Sequence, residues 1–168
     1  MLRIEISLRV EIFLPGNYPY IFISPIRYFM SLFEITTDVE KMDLDLIHSF
    51  LSNESYWAKG RSIEVTKKAI ENSICFAAMD ENKTIGFGRV VTDRATFAYI
   101  GDVFVKSEYR GRGIGKLLMQ AMIDHPELQN LRRWILATRD AHGLYSKYGF
   151  TGLKFPERWM ERAAEWAY

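Results

Sequence analysis

The first part of the chain alternates apolar and polar residues without a break over residues 2–12, which is the pattern of a β-strand. A stretch rich in turn residues and aromatic rings follows and ends at a second methionine, Met30. Two interpretations stay open: translation begins at Met30, or the preceding residues form an additional edge strand or a flexible arm. We therefore divide the chain into an N-terminal extension, residues 1–30, and one domain, residues 31–168.

From residue 32 onwards the hydrophobic pattern changes period several times, and each change marks a new element. The spacing of residues 37–40 is that of a capping box, which predicts the start of the first helix. The resulting order predicts an α+β fold, with a mixed, mostly antiparallel central sheet flanked by helices in a single domain. The predicted strands cover residues 32–36, 74–79, 84–91, 96–105, 133–138 and 150–153. Two predicted helices begin after residues 37 and 62, and two more cover residues 113–125 and 141–148.

The composition of the chain argues against several classes of protein. The 168 residues are 48% hydrophobic and 26% charged with a net charge of +1, which is ordinary for a globular protein and argues against a general nucleic-acid binder. The single cysteine, Cys75, rules out an internal disulfide framework and fits a cytoplasmic setting. No uncharged apolar run is long enough to span a membrane, and no metal site is predicted.

Residues 107–122 read SEYRGRGIGKLLMQAM, so three glycines and the cations Arg110, Arg112 and Lys116 stand at the start of a helical pattern. N–H groups in the first turn of a helix lack intrahelical partners, and glycine lets a phosphate approach them closely. The pattern therefore predicts a pyrophosphate site, although a solvated basic turn is the alternative. It is not a Walker A motif, because Leu117 follows the lysine, and it lacks the G-x-G-x-x-G spacing.

Two motifs resemble one known family. Residues 110–115 match R-x-x-G-x-G, the acyl-CoA pyrophosphate loop of the GCN5-related N-acetyltransferase (GNAT) family. Residues 141–150, AHGLYSKYGF, are similar to the family's segment A-x-x-L-Y-x-K-x-G-F. The stretches YWAKGRS at 56–62 and PERWM at 156–160 resemble a bacterial subgroup with unassigned substrates. The resemblance covers roughly residues 32–160 and implies a GNAT-like fold.

The resemblance also implies how the acyl donor, acetyl-CoA, is held. Its diphosphate is assigned to the backbone of the glycine-rich loop, and its pantetheine arm to the edge of the strand before that loop. A backbone N–H near Val105 would polarise the thioester carbonyl. A plain buried strand is compatible with this role, since the edge and the side-chain faces are separate. The cofactor-binding residues implied are Val103, Phe104, Val105, Arg110, Gly111, Arg112, Gly113, Ile114, Gly115 and Lys116.

The implied reaction moves an acetyl group from a thioester to an amine. Tyr145 matches the family's tyrosine that protonates the departing thiolate, with a packing role as the alternative. For the base, Gly101 stands where a glutamate is expected, and the adjacent Asp102 either faces the acceptor cleft or binds the local backbone. His142 is a second titratable candidate, whereas Asp140 is better suited to cap a helix.

The acceptor side is expected to be built from the loop at residues 52–61 and the later strands. Tyr56, Trp57 and Tyr99 would form an aromatic wall near His142, unless these rings pack into the core. The sequence thus predicts an acyl-CoA-dependent N-acetyltransferase that acts on a primary amine of a small molecule, as a monomer or homodimer. A peptide or protein N-acetyltransferase and a non-catalytic acyl-CoA-binding sensor are the alternatives.

Overall fold

The computed structural model describes residues 33–164, which belong to a compact unit that begins at Ser31. The strand expected over residues 2–12, and with it the assignment of residues 1–30, lies outside the described residues.

One mixed sheet organises the described residues. Its strands follow chain order, with three antiparallel pairs and a parallel pairing of the last two strands. The predicted α+β architecture with a mostly antiparallel sheet is therefore confirmed. The strands are β1 (Glu34–Thr36), β2 (Ile74–Asp80), β3 (Lys83–Thr92), β4 (Phe97–Val105) and β5 (Arg133–Leu136).

Four α-helices connect or flank these strands: α1 (Leu44–Ser49), α2 (Ile63–Glu71), α3 (Ile114–Asp124) and α4 (His142–Tyr145). The cap predicted at Thr37 was wrong. Asp38 instead caps a short 3-10 helix, and α1 begins after Asp43, whose carboxylate accepts from Leu46 N–H at 2.9 Å. The start of α2 after Ser62 agrees with the prediction, since the Ser62 hydroxyl accepts from Val65 N–H.

The strand predicted over residues 150–153 is not formed. Gly149, with φ +82°, turns the chain after α4, and residues 151–153 are exposed and irregular. The Phe150 ring packs edge-on against Tyr145, with the ring centroids 6.1 Å apart. Its apolar character therefore stabilises the end of α4 and does not mark a strand.

Helices cover both faces of the sheet, and β2 supplies side chains to each. Alternate residues of a strand point to opposite faces, so Phe76 and Ala78 face α3 while Cys75 and Ala77 face α1 and α2. The core on the α3 face also contains Ile85, Val90, Ile100, Ile114, Leu118, Met119 and Met122. The core on the α1–α2 face contains Ile47, Phe50, Leu51, Ile70, Phe87 and Phe104.

Two glycines of β3 let α3 lie close to the sheet. A Cβ atom at Gly86 would lie 3.0 Å from the backbone oxygen of Phe104 and 3.4 Å from Ile114 Cγ2. A Cβ atom at Gly88 would lie 2.5 Å from Met122 Cε. Because cores are packed to crystal-like density, these positions fix the distance between α3 and the strands.

Substituting Gly86→Val tests this close approach. The added methyl groups meet a backbone oxygen that cannot move independently, and we expect overpacking to lower the free energy of unfolding by about 1–3 kcal/mol. Gly152→Val is the control, because a Cβ atom at Gly152 has no neighbour within 4 Å. Urea unfolding measures both, and equal stability of the two variants would contradict the packing account.

Candidate active site

The glycine loop, residues 110–115, joins β4 to α3. A 3-10 turn, Ser107–Tyr109, precedes it. Gly111 and Gly113 adopt φ values of +78° and +85°, in the left-handed region that side chains rarely enter. Glycine adopts this backbone path without strain, which accounts for its presence at these two positions.

The backbone N–H groups of residues 111–115 in the glycine loop have no protein acceptor among residues 33–164, whereas Arg110 N–H donates to Ser107 O at 3.3 Å. Lys116 and Leu117 both donate to Gly113 O. No side chain caps α3, although Asp43 and Ser62 cap α1 and α2. An uncapped, glycine-rich helix start with free donors matches the requirements of a phosphate site.

Neighbouring side chains hold the glycine loop in place. Arg110 Nε donates to Val105 O at 3.1 Å, so this arginine ties the loop to the end of β4. The Tyr109 hydroxyl donates to Asp80 at 3.0 Å, and the Arg112 guanidinium lies 5.2 Å from the Tyr109 ring centroid. Lys116 is exposed in the first turn of α3. Arg112 and Lys116 are thus neighbours of the amides along the chain, and Arg110 is bonded to the backbone of β4.

The edge of β4 becomes free just before the glycine loop. β5 pairs with β4 at only four positions, from Phe97↔Arg133 to Ile100↔Leu136. Residues 101–105 continue beyond the end of β5 and, within residues 33–164, keep only β3 as a partner. This segment includes Val103, Phe104 and Val105, which the sequence assigned to the pantetheine arm. Phe104 itself is buried and stacks on Phe50 with the centroids 3.9 Å apart.

A β-bulge reshapes β4 at this point. The register between β3 and β4 shifts between Phe87 and Arg89, and Asp102 has φ +55°. A non-glycine residue in this region is held there by its surroundings. The bulge turns the Asp102 side chain toward the α1–α2 face, where it is buried.

The Asp102 carboxylate is saturated with donors. Arg61 contributes Nη1 at 2.7 Å and Nη2 at 3.1 Å, Arg89 contributes Nε at 2.6 Å, and Trp57 contributes Nε1 at 3.2 Å. Burial alone raises the pKa of Asp102, but the hydrogen bonds and charges of Arg61 and Arg89 outweigh it and hold the pKa below its usual value. A carboxylate of this kind is a poor proton acceptor, which argues against the base role considered for Asp102.

Sequence reasoning missed Arg61 and Arg89. They lie 41 and 13 residues from Asp102 along the chain, so no local pattern links them. The network ties the loop before α2 to the bulge in β4. It therefore fixes this loop relative to the free edge of β4.

Tyr145 ends α4 and belongs to the core on the α3 face of the sheet. It is only 8% exposed, and its hydroxyl has no hydrogen-bond partner among residues 33–164. Burial, reinforced by Tyr56, Tyr99 and Asp140, raises the pKa of Tyr145 to about 12. The phenol therefore stays protonated at neutral pH and has a free donor. Asp140, expected to cap α4, does not, because Ala141 is the N-cap and no side chain bonds there.

The aromatic residues predicted for the acceptor side are exposed, and two of them, Tyr56 and Trp57, are in contact. Tyr56 and Trp57 make an edge-on contact at 4.9 Å, and both are more than 40% exposed. The guanidinium of Arg139 lies 3.7 Å from the Tyr56 ring centroid, and Arg139 N–H donates to the Tyr56 hydroxyl at 3.0 Å. Tyr99 is 37% exposed on β4. His142 is exposed at the first position of α4.

A separate cavity of about 550 Å³ lies between β5 and residues 148–159. Its lining includes Arg133, Trp134 and Trp159 but none of the residues of the glycine loop or of the aromatic wall. Its volume alone therefore gives it no role in the chemistry. Within residues 33–164 no helix is long and apolar enough to cross a membrane.

Comparison with known proteins identifies one family in both sequence and fold. The family model for the GNAT acetyltransferases matches residues 44–150, a span that contains both sequence motifs. A crystal structure of a GNAT-family protein from Xanthomonas campestris pv. campestris is 48% identical, with a TM-score of 0.77 over 79% of this chain and 93% of that one.

Two further relatives are more distant. A Gibberella zeae protein named as an acetyltransferase is 28% identical over 67% of this chain and 75% of its own length. Glucosamine-6-phosphate N-acetyltransferase from Arabidopsis thaliana superposes with a TM-score of 0.57 over 80% of this chain and 98% of that one. At 18% identity, the latter comparison shows the fold alone.

The substitution Asp102→Asn tests the positioning network. It leaves two partly buried guanidinium groups without a full counter-charge, and we expect a loss of roughly 2–3 kcal/mol in the free energy of unfolding at pH 7. The lowered pKa of Asp102 also makes this stabilisation depend on pH. It is fully present above the unfolded-state pKa, about 3.9, and is lost as the pH falls through the lower folded-state pKa.

The stability difference between wild type and Asp102→Asn should therefore shrink as urea titrations move from pH 7 toward pH 3. Glu127→Gln is the control, because the Arg94–Glu127 pair is more than half exposed and should contribute less than about 1 kcal/mol. An Asp102→Asn cost no larger than that of the control, or one independent of pH, would overturn the assignment.

Proposed function

Because this chain belongs to the GNAT family of acetyltransferases, we propose that it transfers the acetyl group of acetyl-CoA to a primary amine of a small molecule. The glycine loop would hold the diphosphate of acetyl-CoA, and the free edge of β4 would hold the pantetheine arm. The amine would approach from the α1–α2 face, past Tyr56, Trp57 and Tyr99.

One observation carries this proposal: the amides of residues 111–115 have no acceptor among the described residues, at a helix start without a side-chain cap. A helix N-terminus favours negative charge, and Arg112 and Lys116 add to it. The donors and charges fit a diphosphate. The strand segment at residues 101–105 is paired with β3 on one edge, and its other edge extends beyond β5. An extended chain with amide groups, such as the pantetheine arm, could hydrogen-bond to that edge as an added strand does.

Acetyl-CoA supplies the acetyl group as a thioester. The neutral amine nitrogen would attack the carbonyl carbon, so that a C–N bond forms, the C–S bond breaks and the nitrogen releases its extra proton to water. A backbone N–H near Val105 would stabilise the charge that develops on the carbonyl oxygen. Tyr145 would donate its proton to the departing sulfur and regain one from solvent. Since the raised pKa of Tyr145 makes the phenol hold its proton tightly, hydrogen bonding to the thiolate is a large part of its contribution.

The amine must be neutral when it attacks. Gly101 offers no base, and the oxygens of Asp102 are engaged by Trp57, Arg61 and Arg89. We therefore assign Asp102 a positioning role and propose that the protonated amine loses its proton to water before it attacks. An acceptor whose amine has a modest pKa suits such a site, because a larger fraction is then neutral at pH 7.

Tyr145→Phe tests the proposal directly. Removing the hydroxyl while keeping the ring should lower kcat about 100-fold and leave the Kd for acetyl-CoA unchanged, because the lost interaction forms only as the sulfur departs. Thiol release from acetyl-CoA in the presence of an amine panel measures kcat, and calorimetry measures Kd.

Tyr148→Phe is the matched control. Its hydroxyl donates to Lys116 O at 2.8 Å and takes no part in the proposed step, so its kcat should stay near that of the wild type. Full activity of Tyr145→Phe would contradict the assignment. A wild-type protein that binds CoA but releases no thiol with any amine would be a non-catalytic acyl-CoA-binding module.

A further inference from the structure

Arg89 has one guanidinium nitrogen that the positioning network does not use. Its Nε donates to Asp102 at 2.6 Å and its Nη1 to the Ser73 hydroxyl at 3.1 Å. Its Nη2 donates to no residue in the range 33–164. Arg61, by contrast, directs both terminal nitrogens at Asp102. Arg89 therefore has spare hydrogen-bonding capacity that Arg61 lacks.

Because Gly101 has no side chain, no side-chain atom of that residue separates this nitrogen of Arg89 from the Tyr99 side of the aromatic wall. Gly101 pairs with Arg89 across the sheet, so the two residues share the α1–α2 face. A Cβ atom at Gly101 would lie 3.8 Å from Arg89 Nη2 and 3.2 Å from Cε1 of Tyr99. The spare donor thus lies close to the exposed Tyr99 ring.

The charge balance around this donor is positive. Two guanidinium groups, of Arg61 and Arg89, share the single carboxylate of Asp102, and their side chains are 18% and 15% exposed. Arg139, near Tyr56, has the exposed Asp140 carboxylate at 3.6 Å as its own partner. The cluster of Arg61, Asp102 and Arg89 keeps one net positive charge in a partly desolvated setting, where it acts more strongly than at the surface.

We propose that the acceptor amine carries a second, anionic group, a carboxylate or a phosphate, and that Arg89 Nη2 binds it. This inference rests on the proposed N-acetyltransferase function. Guanidinium donors bind both oxyanions through short, charge-assisted hydrogen bonds. The same net charge repels polycationic amines, so amino acids and amino phosphates are favoured over polyamines and aminoglycosides.

Matched acceptor pairs test the proposal in the wild-type protein. β-Alanine is compared with propylamine, and O-phosphoethanolamine with ethanolamine, so that each pair differs in the anionic group. Thiol release should give a kcat/KM at least about 10-fold higher for an anionic member, since a hydrogen bond to a charged group has about that effect. The two pairs distinguish carboxylate from phosphate.

Neutral members that react as well as, or better than, both anionic members would overturn the inference and leave the proposed function standing. If no acceptor reacts, calorimetry on the CoA-loaded protein decides. Failure of both anionic amines to bind more tightly than their neutral partners then counts against the inference. Failure of CoA itself to bind counts against the proposed function.

Arg89→Lys identifies the residue responsible. A lysine keeps a positive charge near Asp102 but loses the second donor, so the ratio of KM for the preferred anionic acceptor to KM for its neutral partner should rise about 10-fold. Arg61→Lys is the control, because it alters the same network without removing a spare donor. Equal selectivity changes in both variants would reduce Arg89 to a positioning role and contradict the proposal.

A second pair of variants, at Gly101, tests the proposal without replacing any side chain of the network. Gly101→Glu places a carboxylate beside Arg89 Nη2 and should remove the preference for anionic acceptors. Gly101→Ala adds a comparable contact with Tyr99 but no charge, and should keep the preference. If Gly101→Glu retains the selectivity of Gly101→Ala, the anion does not bind at Arg89.

Discussion

Unsatisfied backbone donors at the start of α3 are the feature on which the rest of this site depends. A helix start normally recruits a side-chain cap, as α1 and α2 do with Asp43 and Ser62. In α3 the glycines exclude such a cap, and the amides of residues 111–115 stay available. Hydrogen bonds from Arg110 to Val105 O and from Tyr109 to Asp80 hold the loop so that these donors are positioned in advance.

A second constraint connects the donor and acceptor sides. The bulge at Asp102 occurs next to the point where β4 loses β5 as a partner, and three side chains hold the buried carboxylate there. Two of them, Trp57 and Arg61, belong to the loop before α2. The free strand edge and the loop before α2 are thus fixed to one another through a single charged group.

Local sequence patterns predicted the elements that depend on neighbours in the chain. The glycine loop, the helix that follows it and the mostly antiparallel sheet all follow from short-range periodicity and spacing. Long-range contacts were not accessible in this way: nothing near Arg61 or Arg89 in the sequence indicates their partner. The pattern at residues 150–153 predicts a strand that is not formed, because Phe150 packs against Tyr145 at the end of α4 instead.

The central claim is that main-chain amides of the glycine loop bind the diphosphate of CoA. Calorimetric titration of CoA into Gly113→Asp and Gly113→Asn tests it most directly, because both side chains tolerate a positive φ and differ only in charge. We expect the wild type to bind CoA and the aspartate variant to bind at least about 10-fold more weakly than the asparagine variant, with a gap that narrows at high salt. Equal affinities for the two variants, or no CoA binding by folded wild-type protein, would contradict the account.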